Sequence, residues 1–247
     1  MAGPPGTSKT WLAQKLSDYL TQGSPDNQNI VQFHPSYSYE EFVEGLRPTS
    51  VQGAIQFEPV KGHLLRVVQA MDNKPARHVM ILDEINRANL PRVLGELLFL
   101  LEYRDRPLDL QYSKSFRLPA RLLFIGTMNT ADRSIRSLDA ALRRRFEIFE
   151  CMPDADLLAA YYQTRASGVP DLIDGFTSLN DLLTKRLDRH HTIGHAFFMA
   201  DEMTPQRLLK TWKYKVGPLV EDYFFEERDV LAEFAPVKFW PSLADLA

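Results

Sequence analysis

The stretch HVMILDEINRA, residues 78–88, decides the fold predicted for this chain, because a continuous apolar run ends there in two adjacent carboxylates, Asp83 and Glu84. Such a run is typical of a strand buried on both faces of a parallel sheet. At the end of that strand, Asp83 can bind a Mg²⁺ ion and Glu84 can polarise an attacking water. The alternative is an acidic helix cap, which does not account for the phosphate-loop pattern found upstream.

Upstream, GPPGTSKT at residues 3–10 has the frame of a phosphate-binding loop, with a glycine, four residues, a small residue, a lysine and a threonine. Small residues allow backbone N–H groups to turn inward around phosphate oxygens, Lys9 can reach the β- and γ-phosphates, and Thr10 can hold Mg²⁺. Ser8 stands where the usual pattern has a second glycine, and serine is small enough to keep the turn if its φ is negative. The alternative is a glycine- and proline-rich turn before a helix. The predicted nucleotide-binding residues are Gly3, Pro4, Pro5, Gly6, Thr7, Ser8, Lys9, Thr10 and Asp83, with Thr10 and Asp83 as the Mg²⁺ ligands.

Downstream, RLLFIGTMN at residues 121–129 is a further apolar run, and it ends at Asn129. Apolar runs that alternate with helical patterns predict an α/β fold with helices on both faces of a parallel sheet. Ligands of such sheets bind beyond the carboxyl ends of the strands, so we expect Asn129 beside Glu84, sensing the γ-phosphate and the attacking water. The alternative is a guanine-reading loop, which we expect on a later strand and with a lysine. Asp132 and Arg133 are expected to order the loop after Asn129.

Composition excludes several classes of protein. A net charge of −3 over 247 residues argues against a chain that wraps nucleic acid by its overall charge. The longest apolar stretch is interrupted by Glu96 and Glu102, so no membrane span is expected. The single Cys151 cannot form an intrachain disulfide, and no signal peptide is recognised at the amino terminus. Both features favour a cytoplasmic location.

The motifs GPPGTSKT, DEINRAN, MNTADRS, LRRRF and IGHAFF together resemble the AAA+ module of the McrB-type GTPases of modified-cytosine restriction, within the MoxR-like and dynein-related AAA+ clade. The resemblance runs from Gly3 to about Phe225. It implies a P-loop AAA+ fold, with a parallel sheet flanked by helices and a small all-helical lid. It also implies a hexameric ring, Mg²⁺ with GTP or ATP as substrate, and an arginine supplied across the subunit interface.

Three consecutive arginines, Arg143–Arg145, end a predicted helix in DAALRRRFEIFE. An arginine at such an edge can reach a neighbour's γ-phosphate and neutralise developing charge. The resemblance favours Arg144 and Arg145 for this role and places Arg87, in DEINRAN, at the subunit interface near the nucleotide. The alternative for consecutive arginines is a solvated face or a nucleic-acid patch. The predicted catalytic residues are Glu84, Asn129, Arg144, Arg145 and Arg87.

The pattern predicts two domains, an AAA+ nucleotide-binding α/β domain at residues 1–152 and a helical lid domain at residues 153–247. An insertion at Tyr37–Gln69 carries a glycine-containing excursion after the second strand. The segment RPLDLQYSKSFRLP alternates apolar residues around a turn at Ser113–Ser115, which predicts a hairpin before the sensor strand. Two roles stay open for these insertions: contact with DNA or a partner, or packing within the ring.

The lid segment HHTIGHAFFM contains His190, His191 and His195, which raises the possibility of zinc. A fourth ligand is missing and Cys151 is far away in sequence, so no metal is predicted there. Arg207 is expected to be the lid arginine that senses nucleotide.

Only Met1 and Ala2 precede the phosphate-loop pattern, where the family has an apolar central strand. The first core strand is therefore expected to be truncated. The function predicted is that of an AAA+ motor subunit that hydrolyses GTP or ATP in a DNA restriction complex. Its expected partners are further copies of itself, a McrC-like nuclease and, through that complex, DNA, with no membrane contact. The alternatives are a MoxR-like ATP-dependent remodelling ATPase and a nucleotide-binding remnant without turnover.

Overall fold

The structure is a computed structural model that describes residues 1–51, 54–71, 75–132 and 140–246. Its packing groups the chain into two compact units. The first comprises Met1, Thr10–Met128 and Asp132–Phe149, and the second comprises Ala2–Lys9, Asn129–Ala131 and Glu150–Ala247. Within the described residues, no helix is long and apolar enough to cross a lipid bilayer.

Strands and helices are interspersed along the first two thirds of the chain. The strands are β1 (Ala2–Gly3), β2 (Gln28–Gln32), β3 (Glu44–Val51), β4 (Ala54–Lys61), β5 (His78–Asp83), β6 (Leu122–Gly126), β7 (Met128–Asn129), β8 (Ala166–Ser167) and β9 (Glu202–Met203). The helices are α1 (Lys9–Leu20), α2 (Tyr39–Phe42), α3 (His63–Met71), α4 (Leu90–Leu94), α5 (Leu97–Glu102), α6 (Ala140–Arg143), α7 (Ala155–Tyr162), α8 (Leu172–Arg186), α9 (Pro205–Thr211) and α10 (Gly217–Tyr223).

The first unit is built on a parallel sheet in the order β2-β5-β6. The register pairs Gln32 with Asp83 and Leu82 with Gly126, so the carboxyl ends of all three strands meet at one edge. The middle strand β5 is buried along its apolar run, as the continuous HVMIL pattern predicts. The expected parallel sheet is therefore confirmed, with β5 as its buried middle strand.

Helices cover both faces of this sheet, because successive side chains of β5 point to opposite sides. Met80 and Leu82 pack into the larger core, which includes residues of α3, α4 and α5. Val79 and Ile81 face the other way and pack against Ala13 of α1. The resulting layer of sheet between helices is the predicted AAA+ architecture.

The insertion at Tyr37–Gln69 contains an antiparallel hairpin formed by β3 and β4, with a register from Glu44 opposite Lys61 to Val51 opposite Ala54. Before it, Ser38 and Glu41 form a reciprocal capping box at the start of α2. In the segment for which the sequence predicts a second hairpin, Leu108 and Phe116 form one antiparallel bridge.

The second unit carries helices α7 to α10 around its own core, in which Trp240 is fully buried. The Trp240 indole N–H donates to the Leu172 carbonyl at 3.2 Å, which satisfies the buried donor. The same unit holds the two-residue strand β1. There Cys151 N–H donates to the Ala2 carbonyl at 2.7 Å, and Thr130 N–H donates to the Gly3 carbonyl at 3.0 Å.

Candidate functional site

Two hydroxyls converge on one carboxylate at the carboxyl edge of the sheet in the first unit. The Thr10 hydroxyl donates to Oδ1 of Asp83 at 2.8 Å, and the Thr127 hydroxyl donates to the same oxygen at 2.6 Å. Thr10 lies in the first turn of α1, Asp83 ends β5, and Thr127 follows β6 directly. Hydroxyl and carboxylate oxygens are hard ligands, so the pair of Thr10 and Asp83 suits Mg²⁺ in its chemistry.

Thr127 was not singled out from the sequence. Its side chain is buried, and its hydroxyl oxygen also accepts from Glu84 N–H at 3.2 Å. Its backbone joins the two strand ends, because Thr127 N–H donates to the Leu82 carbonyl and Ile85 N–H donates to the Thr127 carbonyl, both at 2.9 Å. The only signal in the sequence is a polar residue directly after the apolar run of β6. Thr127 therefore holds the Asp83 carboxylate and the backbone of Glu84 in place.

Glu84 adopts an unusual backbone conformation, with φ of 54° in the left-handed region. For a non-glycine residue this costs on the order of 1–3 kcal/mol and is tolerated where surrounding contacts fix it. The Glu84 Oε2 atom accepts from Arg87 Nε at 3.2 Å, and Arg87 Nη2 lies 3.9 Å from Asp132 Oδ2. In this structure, then, Arg87 contacts the predicted base of its own subunit. Arg133 lies outside the described residues.

The phosphate-loop residues Gly3 to Lys9 belong to the second unit, where the loop closes on itself. Lys9 Nζ donates to the Pro4 carbonyl at 2.6 Å, and the Thr7 hydroxyl donates to that carbonyl at 3.0 Å. A Cβ on Gly3 would lie 2.0 Å from the Cys151 carbonyl oxygen, so a larger residue does not fit there. Gly6 has φ of +75°, and a Cβ added there would lie 2.5 Å from the Phe197 ring.

Ser8 does not meet the condition of a negative φ under which the sequence allows a serine to keep the turn. Its φ is 59°, the left-handed region that the glycine of the usual pattern enters without cost. A side chain in that region costs roughly 1–2 kcal/mol. The Ser8 hydroxyl oxygen lies 3.3 Å from Nε2 of His195.

A segment of the lid, Gly194–Phe197, borders the phosphate loop within the second unit. Gly194 N–H donates to the Pro5 carbonyl and Ala196 N–H donates to the Gly6 carbonyl, both at 2.9 Å. A Cβ on Gly194 would lie 2.0 Å from the Gly6 carbonyl carbon, so this close approach requires glycine. The motif IGHAFF was noticed in the sequence, but its contact with the loop was not predicted.

His195 is buried between these two backbone hydrogen bonds, and its Nδ1 accepts from Asp154 N–H at 3.3 Å. Burial lowers the pKa of His195, and the Asp154 carboxylate raises it by a smaller amount. The neighbouring His191 is bound differently, because its Nδ1 lies 2.9 Å from Asp188 Oδ1.

Asn129 lies in the second unit, at the end of β7. Its side-chain oxygen accepts from Ala131 N–H at 3.2 Å, which orders the start of the loop that follows. Arg207 lies at the start of α9 in the same unit, and its Nη1 donates to the Glu202 carbonyl at 3.4 Å.

The two candidate arginine fingers have different surroundings in the first unit. Arg145 Nη2 lies 3.1 Å from Glu102 Oε2, and only 13% of the Arg145 side chain is exposed. Arg144 is exposed. The structure therefore ties Arg145 to its own subunit and leaves Arg144 at the surface.

Comparisons with known proteins identify the family of this chain. Residues 1–146 match the family model of the AAA domain (dynein-related subfamily), and residues 171–232 match that of the McrB alpha-helical lid domain. The chain is 36% identical over 250 residues to the type IV methyl-directed restriction enzyme EcoKMcrB subunit of Escherichia coli K12, covering 92% of this chain and 54% of that protein.

More distant relatives were also found. The type II restriction enzyme BsuMI component YdiS of Bacillus subtilis 168 is 23% identical over 255 residues, which cover 84% of this chain and 74% of that protein. A crystal structure of a Cytophaga hutchinsonii protein has a TM-score of 0.38 at 19% identity, over 60% of this chain and 39% of that chain. The chain thus spans about half the length of the EcoKMcrB subunit.

Proposed function

We propose that this chain hydrolyses a nucleoside triphosphate as the motor subunit of a DNA restriction complex, because it belongs to the dynein-related AAA+ family and carries a McrB-type helical lid. The observation that carries the proposal is the convergence of the Thr10 and Thr127 hydroxyls on Asp83 Oδ1. It brings a residue of the phosphate-loop pattern and the carboxylate after β5 to one point. Mg²⁺-dependent phosphoryl transfer requires these two groups together.

Thr10 and Asp83 are proposed to hold Mg²⁺, since their oxygens already lie within hydrogen-bond distance of each other. The chemistry supplied by a Mg²⁺ ion held there would be neutralisation of the negative charge on the phosphates. Lys9 would exchange its contact with the Pro4 carbonyl for the β- and γ-phosphates. The remaining loop residues, Gly3, Pro4, Pro5, Gly6, Thr7 and Ser8, are proposed to cradle the phosphates with their backbone, and Arg207 to sense the nucleotide from the lid.

Glu84 is proposed as the base that orients and activates the attacking water, and Asn129 as the sensor of the γ-phosphate. Arg87 holds the Glu84 carboxylate in this structure. Exchange of this contact for one with a neighbouring subunit would free Glu84 to act on water. Arg87 is therefore proposed to lie at a subunit interface near the nucleotide, as the family resemblance implies.

A ring of six copies is proposed, with an arginine of one subunit acting on the nucleotide of the next. Arg144 is better suited to reach a neighbour than Arg145, because Arg145 is engaged by Glu102 of its own subunit. Arg145 would then fix the end of the helix from which Arg144 projects. This proposal differs from the sequence-based expectation, which assigned the role across the interface to both Arg144 and Arg145.

Restriction is the biological role that the relatives support best, because both curated relatives are named as components of restriction enzymes. A McrC-like nuclease is the proposed partner, and DNA is reached through that complex. GTP is favoured over ATP by the family resemblance alone. The proposed division is a nucleotide-binding domain at 1–152 and a lid at 153–247. The protein is proposed to be cytoplasmic, because its single cysteine, Cys151, cannot form an intrachain disulfide.

The test is to measure binding and turnover of both nucleotides by the purified chain. Fluorescently labelled GTP and ATP report binding, and phosphate release reports hydrolysis, each with Mg²⁺ and with EDTA. We expect Mg²⁺-dependent binding of at least one nucleotide and turnover once the chain is assembled or supplied with its partner. Binding of neither nucleotide at millimolar concentration would overturn the proposal. Binding without turnover in the assembled state would favour a nucleotide-binding remnant.

A further inference from the structure

The phosphate loop of this chain carries a serine at a position where its backbone requires the conformation of a glycine. Ser8 has φ of 59° and directly precedes Lys9. An isolated serine disfavours this region, because its Cβ crowds the following carbonyl oxygen. Such a conformation persists only where neighbouring contacts hold it. The structure supplies a contact of this kind at Ser8.

That contact comes from the lid segment of the second unit. Two backbone hydrogen bonds, from Gly194 N–H to the Pro5 carbonyl and from Ala196 N–H to the Gly6 carbonyl, fix the segment against the loop at 2.9 Å each. The residue between the two donors is His195, which is therefore placed opposite Ser8. Its Nε2 lies 3.3 Å from the Ser8 hydroxyl oxygen.

The hydrogen bonds of His195 define its role. Because Nδ1 accepts from Asp154 N–H, the neutral imidazole carries its proton on Nε2. Nε2–H is then the donor, and the Ser8 hydroxyl oxygen is the acceptor. Burial favours the neutral ring by lowering the pKa of His195. This donor holds the Ser8 side chain and, with it, the left-handed backbone.

We propose that His195 is a positioning residue for nucleotide binding, which holds Ser8 in the left-handed conformation that the phosphate loop otherwise obtains from glycine. This inference rests on the proposed nucleotide-binding function. It assigns a role to the lid that is distinct from covering the nucleotide. The lid residue compensates, through one hydrogen bond, for the strain of a non-glycine residue in the loop.

The test is a set of variants whose affinities for labelled GTP and ATP are compared with the wild type. Ser8→Ala keeps the strain and removes the acceptor, so we expect affinity to fall by about 2- to 12-fold, the factor that a neutral hydrogen bond contributes. His195→Asn should cause a loss of the same size, because its shorter amide does not reach Ser8. His195→Gln places an amide N–H near the position of Nε2 and should restore affinity to within about twofold. His190→Asn, the same substitution at a histidine five positions earlier in the chain, is the matched control.

The decisive variant is the double substitution Ser8→Gly/His195→Asn. Glycine enters the left-handed region without help, so we expect Ser8→Gly to recover the affinity that His195→Asn loses. If His195→Asn acts by damaging the lid, glycine at position 8 will not recover affinity, and the proposal is then wrong. It is also wrong if His195→Asn binds nucleotide as tightly as the wild type. Absence of binding by the wild type would overturn the proposed function itself, which separates the two failures.

A measurement without substitution checks the same point. Long-range ¹H–¹⁵N correlation spectra of the intact chain report which imidazole nitrogen carries the proton. We expect the Nε2–H tautomer for His195 at pH 7.5. The Nδ1–H tautomer would make Nε2 an acceptor and would overturn the assignment of His195 as the donor.

Discussion

The hydroxyl of Thr10 donates a hydrogen bond of 2.8 Å to Oδ1 of Asp83, although the two residues are 73 positions apart in the chain. The parallel register of β5 and β6 adds Thr127 to the same oxygen. A carboxylate held by two hydroxyls has little freedom to rotate before it meets a metal ion. Preorganised ligands of this kind lose less entropy on binding.

The first prediction concerns Thr127. Thr127→Val keeps the shape of the side chain but removes the hydrogen bonds to Asp83 and Glu84, so we expect kcat to fall roughly 10- to 100-fold, the range for hydrogen bonds to charged groups. The Mg²⁺ concentration for half-maximal turnover should rise as well. Thr127→Ser, which keeps the hydroxyl, is the control. Equal Mg²⁺ dependence in the valine variant and the wild type would contradict the role of Thr127.

The second prediction separates binding from hydrolysis. Glu84→Gln should abolish turnover and preserve nucleotide binding, because the amide keeps the shape of the carboxylate but is a poor base. Lys9→Ala should lose binding instead, since the ammonium contacts the β- and γ-phosphates before reaction. Single-turnover phosphate release and nucleotide titration measure the two effects. Turnover in the glutamine variant equal to that of the wild type would remove Glu84 from the mechanism.

The third prediction distinguishes the two arginines. Arg144→Ala should abolish turnover without changing the melting temperature, because its side chain is exposed. Arg145→Ala should lower the melting temperature, because it removes a side chain that is only 13% exposed, together with its ion pair to Glu102, whose side chain is 44% exposed.

Mixing tests whether Arg144 acts on a neighbour. Rings assembled from Arg144→Ala and Lys9→Ala subunits contain interfaces where an intact arginine faces an intact phosphate loop. We expect some turnover to return at these interfaces. Folded, mixed rings that show none would indicate that Arg144 works within its own subunit.

The fourth prediction is a dependence of stability on pH. Burial lowers the pKa of His195 below its ordinary value of 6.5. Above pH 6.5 the His195 ring is neutral in both the folded and the unfolded chain, so the free energy of unfolding has its full value. As the pH falls below 6.5, the unfolded chain takes up the proton first, so the free energy of unfolding decreases until the folded pKa is reached.

The expected slope is at most about 1.4 kcal/mol per pH unit, the value for one proton. Urea unfolding of the wild type between pH 5 and 7.5 should show this loss, and His195→Gln should flatten it. His34→Gln, at an exposed position, is the control. A slope unchanged by His195→Gln would assign the pH dependence to other groups.

The fifth prediction concerns Asn129. Asn129→Ala should reduce turnover strongly and leave the preference between GTP and ATP nearly unchanged, because the γ-phosphate is the same in both nucleotides. A residue that reads the base behaves differently, since loss of a buried hydrogen bond to the base edge removes roughly 1–3 kcal/mol of discrimination. The ratio of kcat/KM for GTP to that for ATP is the measurement. Collapse of this ratio would show that the loop after Asn129 reads guanine.

Local patterns in the sequence determined the class of fold and the identity of the candidate chemical groups. The apolar run before Asp83 predicted a buried parallel strand, and the structure confirms it, because a strand with apolar side chains on both faces must be covered on both. The phosphate-loop spacing and the paired carboxylates could be recognised in the same way. Each of these features depends on residues that are close together in the chain.

Only the tertiary structure decided how these groups are held. Neither the position of Thr127 against Asp83 nor the pairing of Arg145 with Glu102 follows from the sequence, because each depends on the register of strands or the packing of distant helices. The backbone at Ser8 shows most clearly what the sequence alone does not predict. From sequence alone, a serine was judged able to keep the turn if its φ is negative, whereas the structure has φ at 59°, beside a histidine 187 positions later. A residue's local preference is worth about 1–2 kcal/mol, and tertiary contacts of similar size can reverse it.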